Sequence, residues 1–167
     1  LDLNGHLPGK WAPFRTGTDR EIKTRLYTSL GLLETGNESD FFKIKERRII
    51  DRLYPHWDKE IHGLYKALDG MDSPPERALA VISEYHGLKT INPSKHRGVD
   101  IERALKENAV VYVRGSITDP LIIQICSLLI QCILQSAMRL YTTQERAAHL
   151  FLCVDEVRFM VTDLLAD

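Results

Sequence analysis

The sequence predicts an α/β fold dominated by helices: an all-α part followed by a partial βαβ unit. Three observations lead there. Apolar residues recur at helical spacing from Thr18 to Glu107. Two short apolar runs follow, Ala109–Val113 and His149–Val154, each bounded by polar residues as buried strands are. Between them lies one long apolar stretch, Leu121–Leu140, of the length a crossover helix needs to join parallel strands.

Residues 1–18 are rich in Gly, Pro and Asn and carry no period, so they read as loop, with Trp11 and Phe14 tucked against a core. Thr18 suits an N-cap, and Glu21 three residues on completes a capping box. Ile22, Leu26, Ser29, Leu30 and Leu33 continue at helical spacing until Gly36 and Asn37 stop the helix. Ser39 and Asp40 open a second helix whose apolar residues are Phe41, Phe42, Ile44, Ile49, Ile50 and Leu53, and Pro55 ends it. A third runs from Trp57 to Leu68 and closes at Gly70. A fourth starts at Pro74 and Pro75, buries Ala78, Leu79, Val81, Ile82 and Tyr85, and stops at Gly87. Thr90–Gly98 reads as loop and Asp100–Glu107 as one or two helical turns. Asp119 and Pro120 suit the first positions of the long apolar helix. That helix is long enough to span a bilayer, but Gln124, Gln131 and Gln135 interrupt it, and a βαβ setting explains it without lipid.

Composition sets the outer limits. A chain of 167 residues with 44% hydrophobic residues can bury an ordinary core. Lys+Arg 22 against Asp+Glu 23 leaves a net charge of -1, which excludes the basic excess of a duplex-wrapping protein. Cys126, Cys132 and Cys153 all sit in apolar runs and read as buried free thiols of a reducing compartment, not as a zinc or disulfide framework. The first residues lack the order of a secretory signal. Leu1 and the helix-like Val161–Asp167 read as the cut ends of a longer polypeptide.

The sharpest chemical signal is Leu150–Glu156, an apolar run ending in Asp155 and Glu156. P-loop ATPases present their metal-holding acid at the carboxyl edge of a buried strand in this way. Asp155 could hold Mg²⁺ through water there, and Glu156 could polarise an attacking water. Such a pair needs a phosphate-binding loop, and no G-x-x-x-x-G-K-[ST] run occurs; Gly9-Lys10 is followed by Trp11. Arg114, Gly115, Ser116 and Thr118 form a small polar turn expected at the same sheet edge. The basic residues of the helical half alternate with acids, as on a solvated face. The loop from Lys89 to Arg97 is the exception, and Lys89, Lys95 and Arg97 are candidate contacts to a phosphate backbone. The six histidines show no metal-ligand spacing, and no nucleophile elbow is present.

The order of Glu107–Ser116, an apolar helix through Arg139 and His149–Glu156 resembles the TraD/TraG-type coupling proteins of bacterial conjugation. These are type IV secretion ATPases related to FtsK-like DNA translocases. The resemblance implies that residues 1–39 are the lead-in segment of a nucleotide-binding domain, 40–106 form its all-helical inserted subdomain, and 107–167 form part of a RecA-like P-loop domain with a Walker B-like strand. It implies ATP and Mg²⁺ as cofactors of the full-length protein and none for this piece alone, whose phosphate loop would precede Leu1. Asp155 would be the metal-binding acid and Glu156 the catalytic one. The implied assembly is a ring hexamer at the cytoplasmic face of the inner membrane, anchored by a segment outside this piece. Its implied partners are single-stranded DNA, relaxosome proteins and the secretion channel. Two other readings stand beside it: a non-enzymatic helical adaptor in which 18–106 binds a partner protein, and a related FtsK-like DNA translocase.

Overall fold

A computed structural model describes residues 1–5, 9–34, 36, 40–93, 98–116, 118–143, 150 and 153. Among the described residues there are six α-helices: α1 (Asp19–Ser29), α2 (Asp40–Leu53), α3 (Ile61–Asp69), α4 (Glu76–Gly87), α5 (Ile101–Lys106) and α6 (Pro120–Thr142). Short 3₁₀ turns at Tyr54–His56 and Lys89–Ile91 follow α2 and α4.

Local chemistry starts these helices where the sequence places it. The Thr18 hydroxyl accepts from the Glu21 amide at 3.3 Å and the Thr18 amide donates to the Glu21 carboxylate at 2.6 Å, closing the capping box of α1. Asp100 caps α5 by accepting from the Arg103 amide. Asp119 caps α6 by accepting from the Leu121 amide at 2.9 Å, and Pro120 occupies the first turn.

The end of α1 differs from expectation. Gly31 adopts φ +62°, the Leu32 amide donates to the Tyr27 carbonyl at 2.8 Å, and the Gly31 amide donates to the Thr28 carbonyl at 3.0 Å. This paired arrangement ends the helix at Ser29, well before Gly36, and buries Leu32, while Leu33 is left 43% exposed. In α2 only Ile50 is buried, while Phe41 and Phe42 are mostly exposed.

Buried apolar residues from Leu3 to Leu140 form one cluster. α3 packs on α4, and α6 packs on both α1 and α5. Although α6 is long and apolar enough to cross a membrane, it buries nine residues within this fold. Two of its amides meet α1: Gln124 donates to the Ser29 carbonyl at 2.8 Å, and Gln135 accepts from Arg25 at 2.5 Å. Trp11 and Phe14 are buried as expected.

The protein is predominantly helical, and the strand–helix–strand unit is not formed among the described residues. Ala109–Val113 is not a buried strand: it has no regular secondary structure, and Val110 is 96% and Tyr112 76% exposed. A parallel strand needs neighbours on its edges and layers over both faces. Among the described residues, only residues 1–3 pair along this segment. The Leu3 amide donates to the Arg114 carbonyl at 2.9 Å and the Arg114 amide to the Leu1 carbonyl at 3.1 Å, a single parallel bridge between Asp2 and Arg114. Of the second run only Leu150 and Cys153 are described, neither in a strand. Cys153 is exposed, so the expectation of three buried thiols holds only for Cys126 and Cys132.

Candidate functional site

Asp155 and Glu156 lie outside the described residues, as do Lys95 and Arg97. Lys89 is exposed at the start of its 3₁₀ turn, where Thr90 and Ile91 point into the core. The polar turn before α6 does form. Arg114 pairs with the buried Asp2 at 3.0 Å, the Ser116 amide donates to the Asn4 side chain at 2.9 Å, and the Ser116 and Thr118 hydroxyls meet at 2.8 Å. Gly115 is required there, because a Cβ would stand 2.6 Å from the Ile122 methyl. The turn's polar groups bond one another and the N-terminal segment. The acid pair that a nucleotide site of this kind needs is not among the described residues.

Folding instead assembles a groove that residue spacing did not reveal. About 850 Å³ of space lies among α1, α2 and the Tyr54–Lys59 turn, lined by Arg20, Lys23 and Tyr27 from α1, Arg47 from α2, and Tyr54, Trp57 and Lys59 from the turn. The α2 helix brings Arg47 over the Tyr27 ring at 4.5 Å. Lys23 and Lys59 both sit over the Tyr54 ring, at 4.7 and 3.3 Å from its centroid. Lys59 is held by φ +65°, which is uncommon for a lysine, and by donation to the Tyr54 carbonyl at 3.1 Å. The turn below it is tightly bonded. The Trp57 indole donates to the Glu60 carbonyl at 2.6 Å, and Arg15 pairs with Glu60 at 2.5 Å.

Charges in the groove are partly balanced. Asp51 pairs with Lys23 at 3.2 Å and accepts from the Tyr27 hydroxyl, and Tyr54 donates to Asp19 at 2.9 Å. Burial, reinforced by Asp51, pushes the Tyr27 phenol up to about 12. Burial and then Asp19 push Tyr54 up as well. Burial lowers the Lys59 ammonium, with Asp19 opposing the shift. Burial opposes the ionised form of Asp51, but its bonds to Tyr27 and Lys23 win and hold it below the ordinary value. Both phenols therefore stay protonated at neutral pH. The groove thus offers cations, carboxylates and aromatic faces to a bound group.

In the sequence, Arg20, Lys23 and Arg47 read as part of a solvated face because acids stand between them, and Lys59 carries no signal. The missed signal was Tyr54-Pro55-His56-Trp57, an aromatic turn that folds back over α1. Among the described residues no group of three or more His, Cys, Asp or Glu side chains converges to hold a metal. Comparison with known protein families, with characterised proteins and with solved structures finds no match for this chain.

Proposed function

We propose that this chain is part of a conjugative coupling ATPase, contributing its helical subdomain and one corner of its nucleotide-binding sheet. One observation supports this above the others. The extended segment Tyr112–Arg114 is already paired in parallel with residues 1–3 and leads through a polar turn into the apolar α6. Parallel pairing that feeds a crossover helix belongs to α/β sheets. The exposed Val110 and Tyr112 are the apolar residues that further strands and a covering layer would bury. In this reading Asp155 and Glu156 supply the acids of the site, and a phosphate-binding loop outside residues 1–167 completes it. ATP and Mg²⁺ belong to that complete site, and the protein passes single-stranded DNA and relaxosome proteins toward a secretion channel.

The test uses the whole gene product that contains this chain. Glu156→Gln should abolish ATP turnover while nucleotide binding survives; unchanged turnover refutes the assignment.

A second reading, a non-enzymatic helical adaptor, is favoured by the cationic-aromatic groove and by the exposed Phe41 and Phe42 on α2. It predicts capture of a partner protein by a whole gene product that has no ATPase activity.

A further inference from the structure

The α3–α4 pair carries two histidines that neither reading uses. Nδ1 of His62 stands 2.8 Å from Nε2 of His86. Their rings lie 5.0 Å apart and within 22° of parallel. Tyr65 stacks on His86 at 4.5 Å and 5°, which holds the plane of that imidazole. His62 is exposed and His86 half-buried, so an ion can reach both nitrogens from solvent.

We propose that His62 and His86 form a two-histidine site for a late first-row divalent cation, zinc, nickel or copper, clamping α3 to α4. Imidazole nitrogen suits these ions, whereas Mg²⁺ and Ca²⁺ prefer oxygen. In the metal-free pair one ring donates its N–H to the lone pair of the other. Coordination needs both facing lone pairs, so the donor ring takes its other tautomer and its proton moves to the outward nitrogen. No proton is lost from the neutral pair. With metal–nitrogen bonds of about 2.0–2.1 Å, two tetrahedral ligands stand about 3.3 Å apart. The two nitrogens thus need to part by about half an ångström, and the imidazoles, which now face each other head-on, need to turn so that their lone pairs converge on one point; rotation of the exposed His62 side chain supplies most of this movement. Water completes the shell, since the pair belongs to no larger ligand cluster among the described residues. Ring stacking by Tyr65 preorients one ligand, and packing of α3 on α4 fixes the spacing of the two. The site is independent of the ATPase proposal.

Titration of the chelator-treated 167-residue chain with zinc chloride tests it, with magnesium chloride as control. The expected result is one zinc per chain, a melting temperature that rises with zinc, and no response to magnesium. His62→Gln and His86→Gln should each weaken zinc binding at least about tenfold, while His56→Gln leaves it unchanged. The imidazole ¹⁵N resonances of His62 and His86 should move on zinc addition. Absence of zinc binding, or equal binding by the doubly substituted chain, overturns the proposal. Zinc-induced shifts confined to other histidines overturn it too.

Discussion

Arg139 ties three helices together, and its removal gives a sharp measure of how the core is held. From α6 its guanidinium reaches Glu21 on α1 and, at 2.6 Å, Glu102 on α5. The arginine side chain is 19% exposed, and the two carboxylates are 18% and 28% exposed. Exposed ion pairs contribute about 0–1 kcal/mol, whereas breaking a buried one costs about 3–5 kcal/mol. These three groups lie between the limits, so Arg139→Met should cost about 2 kcal/mol, the aliphatic replacement preserving the packing. For a chain of this size that corresponds to a fall in Tm of about 4–8 °C.

The effect should also depend on pH. The bond from Arg139 is the largest influence on Glu102 and holds its carboxyl below the ordinary value, against the opposing effect of burial. A folded-state value below the unfolded one stabilises the protein above the unfolded value, and that stability is lost as pH falls through the folded value. The Tm difference between parent and variant should thus be full at pH 7 and shrink once the pH drops below about 4. Thermal unfolding followed by far-UV circular dichroism at pH 7, 5 and 3 reads this directly. A loss below about 0.5 kcal/mol at pH 7 would refute the clamp, because exposed positions give no more. A difference that does not change with pH would refute its electrostatic origin.

Two further substitutions probe the departures from expectation. Gly31→Ala should destabilise by about 1–2 kcal/mol, since φ +62° is costly for alanine. Its Cβ would also stand 2.7 Å from the Arg77 guanidinium, and denaturant titration measures the sum. Val110→Lys should change the stability of the 167-residue chain by less than about 0.5 kcal/mol, because Val110 is 96% exposed. In the whole gene product the same change should lower soluble yield if Val110 faces a sheet interior, and unchanged yield and ATPase activity would count against the proposed strand.

What could be read from the sequence alone was the chemistry that acts within a few residues. Thr18 with Glu21, Asp100, and Asp119 with Pro120 start helices because a short side chain reaches its own first turn without help from the rest of the fold. Gly31 was equally local, yet the leucine period ran through it and pointed to Gly36 instead. The glycine prevailed because its left-handed backbone satisfies two carbonyls at once, which continued apolar spacing does not.

Tertiary structure decided the matters that depend on distant partners. Ala109–Val113 has the composition of a buried strand, but a strand is completed by its neighbours, and among the described residues only residues 1–3 pair beside it, at Tyr112 and Arg114. The groove cations are scattered over forty residues of sequence, and only the packing of α1, α2 and the Tyr54–Lys59 turn brings them around two tyrosine rings. His62 and His86 are 24 positions apart, a spacing that signals nothing until two helices lie side by side. Backbone capping is a short-range interaction written in adjacent residues; sheet edges, grooves and paired side chains exist only once remote segments have met.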